Sequence, residues 1–155
     1  MMSVIRLKTE AEIRKMREAG RVVAEVLEGL SGRVMPGTKI ADLDDYAEDL
    51  ITSRGGIPAF KGYSHSSGDP KQAFPATICA SVNDEIVHGI PDGRILQKGD
   101  IIGVDCGVIL DGWYGDAART YPVGGISENA RALLAATRDA LDRGIRAIEV
   151  GRPLG

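Results

Sequence analysis

Two aspartates stand in the middle of consecutive strand-like segments, Asp105 in "DIIGVDCGVIL" and Asp116 in "GWYGDAARTY". Aspartate is depleted in strands and is almost never fully buried without a partner, so a pair in one hairpin needs a physical cause. The Asp-Gly pair at 111–112 is the preferred centre of a two-residue type I′ turn. With that centre, Asp105 faces Ala118 and Gly107 faces Asp116. Period-two alternation then makes the carboxylates diagonal neighbours on one face. With Leu110 and Asp111 at the centre, the carboxylates oppose each other directly. A three-residue loop would send them to different faces.

Carboxylates at cross-strand distance repel, and burial worsens the repulsion. Three arrangements relieve it. The pair can share a proton. A cation such as Arg119 can neutralise it, although odd spacing points Arg119 to the other face from Asp116. Or the pair can hold divalent metal ions, two of which about 3.5–4 Å apart form a hydrolytic centre. A lone Asp after Gly115 reads equally well as a bulge residue; the same-face pair is what points to a site. Asp92 and Asp111 read as turn residues. In "NDEIVHGIP", His88 precedes a Gly-Ile-Pro turn and is placed to reach a site, while on its own it also fits a satisfied surface or core histidine. His65 reads as plain loop chemistry. Tyr63, Phe74 and Trp113 fit either a pocket wall or the core. No Gly-rich phosphate loop and no G-x-S-x-G elbow occurs.

The elements that must position these residues are well punctuated. Thr9 and Glu12 form a capping box, after which Ile13, Met16, Val22 or Val23, Val26 and Leu30 recur near a helical period. "PGT" at 36–38 is a turn. A second helix from about Ile40 carries Ile40, Leu43, Tyr46, Leu50 and Ile51 on one face and ends at Gly55-Gly56. Segments 77–82, 100–110 and 112–121 read as strands. A third helix is predicted from Ser127 through Leu133, Leu134, Leu141, Ile145 and Ile148, locally weakened by Gly144. Helices followed by strands and a helix indicate an α+β fold, a mostly antiparallel sheet with helices on one face.

The chain of 155 residues fits one domain, and 43% hydrophobic against 26% charged residues is a core-forming, soluble composition. A net charge of −3 leaves no basic surplus for a general nucleic-acid binder. No apolar run spans a bilayer, and the N-terminal segment lacks the apolar region of a signal peptide. Cys79 and Cys106 lie in apolar strands and read as reduced packing residues of a cytosolic protein.

"KTEAEIRKMREAGRVVAEVL", "PGTKIADLD", "ICASVNDEIVHGIP" and "KGDIIGVDCGVILDGWYGDAARTYPVG", in this order, resemble the type I methionine aminopeptidases. The resemblance covers essentially the whole chain and implies the N-terminal half of a pita-bread fold, so that residues 1–155 form one incomplete catalytic domain. It implies two divalent metal ions (Co, Mn, Fe, Zn or Ni) with Asp105 and Asp116 as ligands, Asp116 bridging. It implies that His88 contacts the substrate and that Tyr63, Phe74 and Cys79 line the methionine pocket. The implied reaction removes the N-terminal methionine of nascent chains through a metal-bridging hydroxide, in the cytoplasm, with the ribosome as a candidate partner and a monomer as the full-length state. The family completes its site with a histidine and two glutamates, plus a second substrate-contacting histidine, that these residues do not include. "SHSSGDPKQA" is also longer than the family's usual connection. Two alternatives follow: a non-catalytic binding module on the same fold, or a prolidase-type dipeptidase.

Overall fold

β3 (Ile101–Leu110) is the spine of the molecule. In a computed structural model of the chain, residues 6–64 and 73–153 are described. β4 (Trp113–Pro122) pairs antiparallel with one edge of β3. The other edge is shared by β2 (Ile78–Val82), opposite Ile102–Cys106, and the short β1 (Ile57–Pro58), opposite Val108 and Ile109. β1 escaped the sequence reading, because two residues show no periodicity.

Alternation sorts the sheet into two faces. Ile102, Val104, Cys106 and Val108 are buried beneath two helices, α1 (Glu10–Ser31) and α2 (Ile40–Ser53). The opposite face carries Gly103, Asp105 and Gly107 of β3, with Asp116, Ala118 and Thr120 of β4 beside them. One face is the core; the other is covered at Cys79, Ser81 and Gly107 and open in part around Asp105 and Asp116.

The capping box at Thr9 and Glu12 is formed as read from the sequence. α1 buries Ala19, Val22, Val23, Val26, Leu27 and Leu30 against the sheet. Ile13 and Met16, expected on the same stripe, are 44% and 40% exposed instead. They precede the stretch of α1 that lies against the sheet. α2 has no side-chain cap at Lys39. Its first amides are satisfied from far along the chain: Ile40 N–H donates to the Arg94 carbonyl (3.0 Å) and Ala41 N–H to that of Asp92 (2.9 Å). In return Asp44 of α2 accepts the Thr77 and Ile78 amides at 2.9 and 2.8 Å, which fixes the start of β2.

α3 (Glu128–Arg146) forms behind its Ser127 cap, whose hydroxyl accepts the Ala130 amide at 3.2 Å. None of its residues is buried, and Ile148 lies beyond its end. Leu133, Leu141 and Ile145 are 58–62% exposed. An apolar period predicts a helix from local sequence but carries no information on what covers it. The placing of helices on one face therefore applies to α1 and α2. His65 and the rest of 65–72 lie outside the described residues.

Candidate functional site

The hairpin turn decides the register. Asp111 and Gly112 both have positive φ, 50° and 78°, as a two-residue type I′ turn requires. Leu110 then pairs with Trp113, Gly107 with Asp116 and Asp105 with Ala118. This is the first of the registers considered, with the carboxylates diagonal on the face away from the core. The side chains of Asp105 and Asp116 lie within hydrogen-bonding reach of one another. Burial first, then the neighbouring Asp116 charge, raises the Asp105 carboxyl above its ordinary value, while the Cys106 amide and His88 oppose the rise. Arg119 offers no relief. It lies on the helix side, donating to Glu28 of α1 at 3.0 Å and standing over the Tyr121 ring. A shared proton or an external cation remains.

His88 approaches this pair from a different direction. It rides on the arc that follows β2, close enough to Asp105 to act on its charge, with φ +59°. The arc is stitched back onto β2 at Gly89, whose N–H donates to Ser81 Oγ (3.1 Å) and whose carbonyl accepts the Ala80 amide (2.8 Å). A Cβ at Gly89 would stand 2.2 Å from the Ala80 carbonyl oxygen, so this approach requires glycine. Cys79 faces Asp105 across β2 and β3. Burial and the charges of Asp105 and Asp116 push its thiol up to about 11, so it stays neutral and packs rather than reacts. Cys106, on the core side, is likewise free and buried.

Tyr63 and Phe74 meet at the base of the 65–72 segment, where Phe74 N–H donates to the Tyr63 carbonyl and Gly62 N–H to that of Phe74, both at 2.8 Å. The Tyr63 amide in turn donates to the Phe60 carbonyl at 2.9 Å. Phe60 connects them to the hairpin. Its ring sits over Gly107, the cross-strand partner of Asp116, so closely that a Cβ there would lie 2.6 Å from the ring. Trp113 stays at the turn, opposite Leu110. Asp105, Asp116, His88 and Cys79 are thus brought together, and Tyr63 with Phe74 adjoins through Phe60. The sequence reading missed Phe60, Ser81, Glu85 and Arg94. For Phe60 the only signal was the glycine two residues after Asp105, which marks a close approach.

Carboxylate oxygens suit a divalent cation in kind. In number they fall short: among the described residues no three His, Cys, Asp or Glu side chains converge to hold a metal. A surface cavity of about 570 Å³ between α1 and β4 is lined by Gly20, Ala24, Leu27, Ala117, Ala118 and Arg119 among others, and by none of Asp105, Asp116, His88, Cys79, Tyr63 and Phe74. Among the described residues no helix is long and apolar enough to cross a membrane.

The same fold occurs in known proteins. Over 152 residues the chain is 45% identical to a methionine aminopeptidase of Clostridium acetobutylicum, a match covering 97% of this chain and 58% of that one. It superposes on the crystal structure of the methionine aminopeptidase from Rickettsia prowazekii with a TM-score of 0.85 at 40% identity, covering 97% of this chain and 56% of that one. A prolidase from Pyrococcus furiosus shares the fold alone, with a TM-score of 0.74 at 19% identity, over 89% of this chain and 37% of its own. The architecture is the pita-bread fold expected from the resemblance, and the chain spans about half the length of the curated relatives it matches. The model of metallopeptidase family M24 aligns with residues 14–155, through the His88 arc and both strands of the hairpin, and the chain belongs to that family.

Proposed function

We propose that this chain carries the aspartate wall of a methionine aminopeptidase active site, acting in the cytoplasm on the N-terminal methionine of nascent chains. The observation that carries the reading is the pairing of Asp105 and Asp116 on one sheet face, with His88 of the neighbouring arc near enough to act on the Asp105 charge. In a chain 45% identical to a methionine aminopeptidase, that grouping is most simply explained by a shared site. Asp105 and Asp116 are its metal ligands, for a pair of divalent ions such as Co, Mn, Fe, Zn or Ni. Bound metal supplies Lewis-acid polarisation and a more acidic water. The chain's own residues do the rest. The β3–β4 hairpin holds both carboxylates at fixed separation on a rigid element. His88 presents an imidazole beside them, able to hydrogen-bond the substrate backbone. Phe74, Tyr63 and the neutral Cys79 supply an apolar wall suited to an unbranched thioether side chain.

Residues 1–155 would form one incomplete catalytic unit, with further ligands supplied from outside it, in an enzyme that is monomeric at full length. Release of free methionine from a Met-initiated peptide by the protein expressed from its reading frame tests this. Loss of release on chelation and in Asp105→Ala supports it. Activity that survives both would overturn it. One observation favours a second reading, a binding module on the same fold: the described residues hold no three-ligand cluster. A prolidase-type activity has weaker support, since its representative shares only the fold.

A further inference from the structure

The arc from Glu85 to Asp92 carries His88 at its middle and has almost nothing apolar to hold it. Ile86 is 92% exposed, Val87 65% and Ile90 50%. His88 itself sits in the left-handed region, at φ +59°. For a non-glycine residue that conformation costs on the order of 1 kcal/mol and persists only where surroundings over-determine it. Burial cannot supply that determination here, so polar ties must.

Gly89 supplies two of them, to Ser81 Oγ and the Ala80 amide of β2, and one guanidinium supplies those that close the two ends of the arc on each other. Arg94 Nη1 donates to Glu85 Oε1 at 2.6 Å, at one end of the arc. Arg94 Nε donates to both carboxylate oxygens of Asp92, 3.0 and 2.9 Å away, at the other end. The second oxygen of Glu85 accepts the Val82 amide at 2.8 Å, which anchors that end to the last residue of β2. The other end is anchored to α2, through the carbonyls of Asp92 and Arg94 that accept its first amides. A planar fork that grips two carboxylates fixes both distance and angle, which an ammonium cannot do.

We propose that Arg94 is a positioning residue for His88: by closing Glu85 onto Asp92 it fixes the exposed arc that presents the imidazole beside Asp105 and Asp116. Exposed ion pairs add little to global stability, so the role of Arg94 is local order. The catalytic consequence rests on the reading of His88 as a substrate contact, while the clamp itself does not.

The two are separable by experiment. On the 155-residue chain, amide exchange at Gly89 and the ring resonances of His88, assigned with a His88→Gln sample, are compared between wild type and Arg94→Ala. Exchange at Gly89 is expected to speed up by about tenfold or more, and the His88 ring shifts to move towards free-histidine values. Exchange at Val104 and the melting temperature stay unchanged. Arg94→Lys, which keeps the charge without the fork, falls between, and Glu85→Gln, which keeps an acceptor for Val82, repeats the effect in weaker form. Unchanged Gly89 exchange and His88 shifts in Arg94→Ala would overturn the proposal. So would a drop in melting temperature with Val104 exchange rising in parallel, which would make Arg94 a general structural residue. If Arg94→Ala frees the arc while His88→Ala leaves methionine release intact, the clamp stands and the catalytic reading of His88 falls.

Discussion

Gly115 of β4 lies directly against the backbone of Ala19 in α1. A Cβ built on Gly115 would stand 2.6 Å from the Ala19 carbonyl carbon and 2.7 Å from the Gly20 nitrogen. α1 therefore rests on β4 backbone to backbone, one residue from Asp116. Gly115→Ala must push the helix off the strand or bend the strand, since neither contact is a flexible side-chain end. A loss of about 1–3 kcal/mol is expected, as for overpacking of a tight core, read as a lower urea midpoint at unchanged m-value. An unchanged midpoint would show that the helix does not sit this closely.

Tyr121 reaches from β4 into α1, where its hydroxyl donates to the Leu27 carbonyl at 2.5 Å while the ring is buried. Burial pushes its phenol up to about 12, so the donor stays protonated throughout the working range. Tyr121→Phe leaves the ring in place and removes the donor. The expected loss is about 0.5–1.5 kcal/mol, the net value of one hydrogen bond, measured by chemical denaturation. A neutral result would show that helix bonding alone satisfies Leu27.

What the sequence revealed and what it hid divide along contact range. The carboxylate face was legible because Asp111-Gly112 sets the turn locally and alternation does the rest. The start of α1 was legible for the same reason, since Thr9 and Glu12 cap each other within one turn. The cap of α2 was not. Its partners, Asp92 and Arg94, lie some fifty residues downstream and act through carbonyls, which every residue carries. Phe60 over Gly107 was hidden similarly, because a glycine reports a close approach without naming the visitor. The arc clamp was hidden because Glu85 and Arg94 look like ordinary surface charge and Asp92 like a turn residue.

α3 separates local pattern from packing. Its apolar residues are exposed, so Leu141→Ala and Ile145→Ala together are expected to change chain stability by less than about 0.5 kcal/mol, as at other surface positions. The check is the urea midpoint of the double variant. A loss of about 2 kcal/mol or more would mean that the helix docks in solution.

The carboxylate pair is expected to bind metal weakly on its own. Titrated calorimetrically with Mn²⁺ or Co²⁺, the chain should show a Kd on the order of 10⁻⁴ M or weaker, because two carboxylates leave most coordination positions to water. Asp105→Ala and Asp116→Ala should each remove the signal. Tight binding would require ligands beyond the pair, and binding that survives both substitutions would place the metal elsewhere.

Without metal, the pair strains the fold in a pH-dependent way. Burial and the Asp116 charge raise the folded-state pKa of Asp105 above the ordinary 3.8. The folded chain therefore holds this proton more tightly than the unfolded chain. That contribution is fully present below the ordinary value and is lost as pH rises through the folded one. The substitution Asp105→Asn puts an amide there that does not ionise and can donate to Asp116. In the presence of a chelator, this variant should match wild type at about pH 3 and become more stable than it towards neutrality, by about 0.5–1 kcal/mol, the scale of a like-charge cross-strand pair. Added divalent cation should reverse the order, since only wild type keeps both charges to offer it. Urea titrations at acid and neutral pH, with chelator and then with Mn²⁺, measure the whole cycle. A variant less stable than wild type at neutral pH under chelation would show that the carboxylates already share a proton or a partner that relieves them.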